Sequence, residues 1–278
     1  MSWVYLDGAI VPEAQAKIAA SDHGLLFGRG VFESFRVIRG RPIFRLERHL
    51  ARIQDGARVL GIAVPAALSG AEASVENLLE HCQLDDARVR LTLTAGAPGA
   101  APALLIQARG ATDYSASMYE TGVPAVIARV RRNETSVLSR IKSLNCLDGV
   151  LAREEARSAG AVEALLLNTA GALAEGGGSN VFVVRGGGLV TPRIDDGALP
   201  GVTREAVLEL AKTNGVPAGE APISLDELMT ADEVFVTNAV AGVLPIATID
   251  GAPIESGSPG EATRMLGEAL GRAMREQG

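Results

Sequence analysis

Lys142 is the residue in this chain best suited to covalent chemistry. Three lysines, Lys17, Lys142 and Lys212, stand against 23 arginines among the 26 basic residues, so arginine supplies the solvated positive charge almost everywhere. An amine differs from a guanidinium in that desolvation can remove its proton and leave a nucleophile able to form a Schiff base. Lys142 lies between Ile141 and Leu144 on a stretch that enters an apolar helical pattern, so a lysine at a helix start is the competing structural reading. Three other segments carry polar chemistry. Pro200-Gly201-Val202-Thr203 places a glycine and then backbone N–H groups at a helix N-terminus, where a phosphate binds readily. A simple helix entry with Thr203 in the first turn reads the same way. Glu175 precedes Gly176-Gly177-Gly178-Ser179-Asn180, and glycines there permit close approach of the backbone to a flat ligand; a flexible loop with a solvated acid is the alternative. Thr237-Asn238-Ala239 brings polar groups to the end of the strand Val234-Phe235-Val236, a favoured place for ligands and also for ordinary turns.

Several motifs lack a required member. Phe27-Gly28-Arg29-Gly30 has no third glycine of a dinucleotide fingerprint, Gly177-Gly178-Ser179-Asn180-Val181 has no closing glycine of a nucleophile elbow, and no glycine loop leads into a phosphate-binding lysine. His23, His49 and His81 are isolated and read as structural, so no metal site is expected. Cys82 and Cys146 match no metal spacing and read as free thiols. A net charge of −7 with arginines scattered among acids argues against nucleic acid as a partner. The N-terminus shows no basic region followed by an apolar run, and no stretch is long enough to span a bilayer; the expected location is the cytoplasm, away from membranes.

The elements that must position these residues follow from periodicity. Trp3 to Val11 reads as two strands around Asp7-Gly8. Val31 to Ile38 alternates as a strand, turns at Arg39-Gly40 and returns through Pro42-Ile43-Phe44. Leu46, Leu50, Ile53 and Ala57 recur at helical spacing, which predicts a helix over Arg45 to Leu60 with Arg48 and Arg52 one turn apart. A helix over Ser69 to Leu84 and strands over Val89 to Thr94 and Ala103 to Ala108 complete an α+β lobe. Gly110 to Glu120 lacks apolar periodicity, so the domains read as 1–110 and 122–278 joined by 111–121. In the second lobe come strands over Pro124 to Val130, Val162 to Leu167, Val181 to Val184, Gly188 to Val190 and Glu233 to Thr237. Helices cover Cys146 to Ser158 and Val202 to Asn214, and Thr169 to Gly178 reads as a turn and glycine run. Asp250-Gly251 predicts a last hairpin, and Ser258-Pro259-Gly260-Glu261 a capping box that starts the terminal helix.

Taken together, these segments resemble the fold type IV family of pyridoxal-phosphate enzymes, which includes branched-chain aminotransferases, D-amino acid transaminases and aminodeoxychorismate lyases. The resemblance runs in order through Phe27-Gly28-Arg29-Gly30-Val31-Phe32-Glu33, His49-Leu50-Ala51-Arg52, Ile141-Lys142-Ser143-Leu144-Asn145, Glu175 to Phe182, Leu199 to Arg204 and Thr237-Asn238-Ala239-Val240. It implies an α+β two-domain fold with a small N-terminal lobe and a larger, mixed α/β barrel-like C-terminal lobe. It also implies a homodimer, and pyridoxal 5′-phosphate as cofactor. Lys142 would hold that cofactor as a Schiff base and then move a proton between substrate Cα and cofactor C4′. Glu175 would pair with the pyridine nitrogen. Arg52, Gly201, and the N–H groups of Val202 and Thr203 would take the phosphate, with Asn238 and Ala239 closing the other side and Ser179 and Asn180 beside the ring.

Departures from the family pattern bear on the substrate. Cys146 occupies the place where many relatives carry a tyrosine that bonds the phenolic oxygen of the cofactor. Thr94-Ala95-Gly96-Ala97-Pro98-Gly99-Ala100 lacks the Arg-x-His carboxylate trap of D-alanine-type transaminases, and lacks the arginine-glycine-tyrosine stretch of some lyases. Arg88, Arg90, Thr92 and Thr94 share one face of their strand, so Arg90 is the expected carboxylate ligand, with Arg29 as a second guanidinium and Phe32 beside the substrate; solvation of both strand arginines on an outer face is the alternative. The expected activity is transfer of an amino group between an amino acid of D- or branched-chain type and a 2-oxo acid. The rival is release of pyruvate from aminodeoxychorismate, which Thr237 to Gly242 favours. A third reading is a phosphate-ligand binding protein without turnover, against which a lysine together with a pyridine-nitrogen acid argues.

Overall fold

Asp7 and Gly8, with φ of 48° and 102°, close the first hairpin between β1 (Trp3–Leu6) and β2 (Ala9–Pro12). The computed structural model describes residues 2–111, 114–254 and 259–276, and divides the chain into two compact units. The first unit takes in the chain to residue 112 together with Ile141–Asn145; the second takes in Asp113–Arg140 and Cys146–Glu276.

In the first unit the hairpin is followed by α1 (His23–Phe27), β3 (Gly30–Ile38), α2 (Leu46–Val59), α3 (Ala71–Cys82), β4 (Asp86–Thr94) and β5 (Leu104–Gly110). Among the described residues these strands form one antiparallel sheet in the order β2-β1-β5-β4-β3. Alternation along β3 sends Val31, Glu33, Phe35 and Val37 to one face and Phe32 and Ser34 to the other. The first face is buried with α2, whose inward stripe is His49, Ile53, Gly56 and Ala57, a 3.6-residue repeat. Gly56 is required for that approach, because a Cβ there would stand 2.9 Å from Val31 Cγ1. Pro42 to Phe44 is not the returning strand that its composition suggests. β3 pairs instead with β4 over its whole length, from Gly30 opposite Thr94 to Ile38 opposite Asp86, since the longer alternating strand offers a full ladder.

The second unit comprises α4 (Ala116–Thr121), β6 (Val123–Ile127), α5 (Leu147–Ser158), β7 (Glu163–Leu167), β8 (Leu173–Gly176), β9 (Asn180–Arg185), β10 (Gly188–Thr191), α6 (Val202–Thr213), β11 (Ala218–Glu220), α7 (Leu225–Met229), β12 (Glu233–Asn238), β13 (Gly242–Ile249), β14 (Ala252–Pro253) and α8 (Glu261–Glu276). Its mixed sheet runs β11-β10-β9-β12-β13-β6-β7-β8, with β14 paired to β13. One face carries a core of Val123, Leu165, Leu173, Val181, Val236, Leu244 and their neighbours. On the other side of β7, α5 presents Ala152 and Ala156 to Ala128, Ala161, Ala164 and Leu166, and small side chains let the helix lie close.

Two stretches read as irregular contain regular structure. α4 begins within the Gly110 to Glu120 connection and ends one residue past it, and Thr112 and Asp113 of that connection fall outside the described residues. β8 lies within the Thr169 to Gly178 run, where its Leu173 and Ala174 are fully buried. Ser258, the first residue of the proposed capping box, falls outside the described residues; α8 is described from Glu261. No helix of the described residues is long and apolar enough to cross a membrane.

Candidate active site

Lys142 does not begin a helix. It sits in a short turn-and-bridge stretch between a 3-10 turn (Val137–Arg140) and α5, laid alongside β3: Phe32 N–H donates to Lys142 O at 2.9 Å, Leu144 N–H donates to Gly30 O at 2.9 Å, and Val31 bridges Ser143. Asn145 Nδ2 donates to Gly28 O at 2.8 Å and ties the end of the stretch to the glycine-flanked turn before β3. Backbone pairing on this scale fixes the Lys142 Cα, so its half-buried side chain reaches a defined place.

That place is the Phe32 ring, whose centroid lies 4.7 Å from Lys142 Nζ and 3.6 Å from Arg90 Cζ. The register explains the meeting: Phe32 pairs with Thr92 and Ser34 with Arg90, which puts all four side chains on one face of the sheet. Arg90 is half-buried and Arg88 exposed, so of the two strand arginines Arg90 is the one drawn against the aromatic ring. Arg29 goes elsewhere. Its Nε and Nη2 each donate at 3.0 Å, to Leu60 O and Gly61 O, closing the C-terminal end of α2, and its expected role as a second carboxylate ligand is set aside for that helix-capping one.

Across β3, Glu33 is wholly buried and organises a charged cluster. Arg52 donates Nε to Glu33 Oε1 at 2.7 Å and Nη2 to Oε2 at 2.8 Å, while His49 Nδ1 lies 2.7 Å from Oε2. Burial alone would raise the Glu33 pKa, but the Arg52 charge and the hydrogen bonds from His49 and Arg52 outweigh it and bring the carboxyl to about 2. The Arg52 guanidinium is thereby fixed in one plane. His49 is structural, as expected, and its partner Glu33 was missed; an acid on the apolar face of an alternating strand was the available signal.

In the second unit Glu175 lies on β8, with both oxygens held. Oε2 accepts from Leu199 N–H at 2.8 Å and Oε1 lies 3.0 Å from Arg132 Nε. Packing leaves little room beside the glycines that follow: a Cβ on Gly177 would meet Arg153 Cγ at 2.8 Å, and one on Gly149 of α5 would collide with Gly177 O. Ser179 donates to the buried Glu163 Oε2 at 2.7 Å, and Glu163 Oε1 accepts from Ala164 N–H at 2.9 Å and Gly177 N–H at 3.2 Å. Burial raises the pKa of Glu163 against those hydrogen bonds.

Asn180 Nδ2 donates to Leu199 O at 2.8 Å, and a Cβ on Gly201 would overlap Asn180 Oδ1, so the entry into α6 is moulded around this amide. No side chain caps α6, and Val202 and Thr203 are buried in its first turn. Thr237 pairs directly with Asn180 across β12 and β9, on the same face, and its fully buried Oγ1 has no hydrogen-bond partner. Asn238 Oδ1 accepts from Val240 and Ala241 N–H at 2.9 and 2.7 Å, shaping the turn that carries Ala239. An uncapped helix start beside an orphaned hydroxyl suits an anion such as a phosphate ester, and an ionic pair built on Glu175 suits a heteroaromatic nitrogen. These groups fit pyridoxal 5′-phosphate. The sequence marks Thr237 as part of a polar strand end without giving it a role of its own, because a threonine there is unremarkable until its hydroxyl is seen to lack a partner.

The comparisons agree with this chemistry. The chain is 38% identical over 274 residues to a putative branched-chain-amino-acid aminotransferase of Methanocaldococcus jannaschii, covering 95% of this chain and 94% of that one. It is 32% identical over 277 residues to the D-alanine aminotransferase of Bacillus licheniformis, covering 96% and 95%. A branched-chain amino acid aminotransferase of T.th., solved with pyridoxamine 5′-phosphate, superposes with a TM-score of 0.91 at 29% identity over 100% of this chain and 95% of that one. Residues 30–249, which contain Arg52, Lys142, Glu175 and the start of α6, match the model of amino-transferase class IV, and the chain belongs to that family.

Proposed function

We propose that this aminotransferase acts on 2-amino acids with apolar side chains, of the branched-chain type, and that Arg90 holds their carboxylate. The observation that carries the reading is the Phe32 ring, with the Lys142 amine 4.7 Å and the Arg90 guanidinium carbon 3.6 Å from its centroid. A carboxylate on Arg90 would set the adjoining Cα within reach of Lys142 Nζ, while the ring offers an apolar wall to the rest of the molecule.

Bound pyridoxal 5′-phosphate supplies a carbonyl that captures the amino group and a ring that takes up the electron pair released at Cα. Lys142 Nζ would be the base that takes and returns the proton at substrate Cα. In the first unit Glu33 holds Arg52 in one orientation for the phosphate. In the second unit the first-turn N–H groups of α6 and Thr237 Oγ1 would hold phosphate oxygens, and Glu175 would pair with the ring nitrogen. The name of the M. jannaschii relative supports the branched-chain reading, and that of the B. licheniformis relative supports a D-alanine reading as the second.

The enzyme is proposed to work as a homodimer: Leu25, Leu26 and Phe27 on α1 are 66, 55 and 66% exposed, an apolar surface that a second copy would cover. The deciding experiment mixes the loaded enzyme with separate L- and D-amino acids and follows loss of the cofactor absorbance. L-leucine, L-isoleucine and L-valine are expected to react fastest. Preference for D-alanine would overturn the branched-chain reading, and pyruvate release from aminodeoxychorismate would overturn transamination.

A further inference from the structure

We propose that Arg132 is the positioning residue for Glu175, and that it sets how the enzyme discriminates for the ring nitrogen of its cofactor. Arg132 continues the line of β6: its N–H donates to Leu167 O at 2.9 Å and it bridges Asn168, so its Cα is held by backbone pairing. Its guanidinium then spans three points. Nε lies 3.0 Å from Glu175 Oε1 and 3.3 Å from Gly197 O, and Nη2 donates to Ser139 O at 3.2 Å. A Cβ on Gly197, where φ is 102°, would stand 3.0 Å from Arg132 Cγ, so the turn is shaped to admit this side chain.

The carboxylate is accordingly gripped from two directions, by Arg132 at Oε1 and by Leu199 N–H at Oε2. Both residues are largely buried, with side chains 14 and 12% exposed, so the charge on one stabilises the charge on the other. An acid held in this way keeps one rotamer. Without the guanidinium, Glu175 would keep the hydrogen bond from Leu199 but lose the group that holds its Oε1. Arg132 would touch neither substrate nor cofactor; it acts through Glu175.

This inference rests on the reading that Glu175 meets the pyridine nitrogen, and the test separates the two. Apo-protein is titrated by fluorescence with pyridoxal 5′-phosphate and with its 1-deaza analogue, in which CH replaces the ring nitrogen. The parent is expected to prefer the nitrogen-containing cofactor by roughly ten-fold to a hundred-fold, the range of a charge-assisted hydrogen bond. Arg132→Gln should cut that preference by about ten-fold while changing the affinity for the deaza analogue less than two-fold, and Arg132→Lys should restore part of it. In Glu175→Gln the preference should vanish, and adding Arg132→Gln to that variant should change nothing further. Equal weakening of both cofactors in Arg132→Gln, or an unchanged preference, overturns the role of Arg132. A preference that survives Glu175→Gln overturns the reading of Glu175 instead.

Discussion

Arg52 and Glu33 form a bidentate pair, 2.7 and 2.8 Å, in which the acid is wholly buried and the guanidinium only 13% exposed. Removing one member strands the other charge, which costs several kcal/mol. The folded Glu33 carboxyl lies at about 2, below its ordinary 4.5. A depressed acid pKa stabilises the fold fully above 4.5, and that stabilisation is lost as pH falls toward 2. Glu33→Gln is therefore expected to lose roughly 3 kcal/mol at pH 7, and its stability should vary less than the parent's between pH 5 and 2. Urea melts across that range make the check; parallel curves would mean that Glu33 is not the titrating group.

Glu163 should show the opposite sign. Its raised pKa means that the folded state binds the proton more tightly than the unfolded chain, so stability declines as pH rises above 4.5. Glu163→Gln keeps an acceptor for Ala164 and Gly177 N–H and loses the ionisation. The variant should gain on the parent as pH rises above 4.5 in the same melts, whereas a difference that stays constant with pH would refute the assignment.

Lys142→Ala should fold like the parent and lose turnover by several orders of magnitude, because the proposed mechanism asks one amine to hold the cofactor and move the proton. Borohydride treatment of the parent should fix the cofactor to the peptide containing Lys142. Finding the label on Lys17 or Lys212 would remove Lys142 from the mechanism.

Arg90→Ala should raise KM for carboxylated substrates and lower kcat/KM by roughly ten-fold to a hundred-fold, the range of a charge-assisted hydrogen bond. Cofactor affinity should stay the same. Parent-like kinetics would show that the carboxylate is held elsewhere, for instance by backbone groups near Ala239.

What the sequence could reveal depended on whether a residue's role is local. Lys142 was conspicuous because arginine does the other cationic work, and the Pro200 to Thr203 helix entry because helix starts have a local grammar. The pairing of β3 with β4, across 47 intervening residues from Ile38 to Asp86, is a tertiary choice, and the nearer Pro42 to Phe44 was the wrong local answer. Arg29 shows the same limit: flanking glycines suggest exposure to a ligand, but the destination of its guanidinium is the end of a helix some thirty residues later. Arg132 carried no local mark, since it matters through an acid 43 positions away, and Thr237 was marked only as part of a strand end, since what sets it apart is a hydrogen bond it does not make.

The lysine stretch also has a consequence for biosynthesis. β3 is the outer strand of the first sheet, and an outer strand with open N–H and C=O groups recruits other chains. Ile141–Asn145 covers part of that rim, taking Gly30 O and Phe32 N–H into its own hydrogen bonds. A nascent chain or a fragment ending near residue 112 therefore exposes an adhesive rim that is closed only when the segment bearing Lys142 has been made. For the growing polypeptide, the five residues around Lys142 are a guard against aggregation.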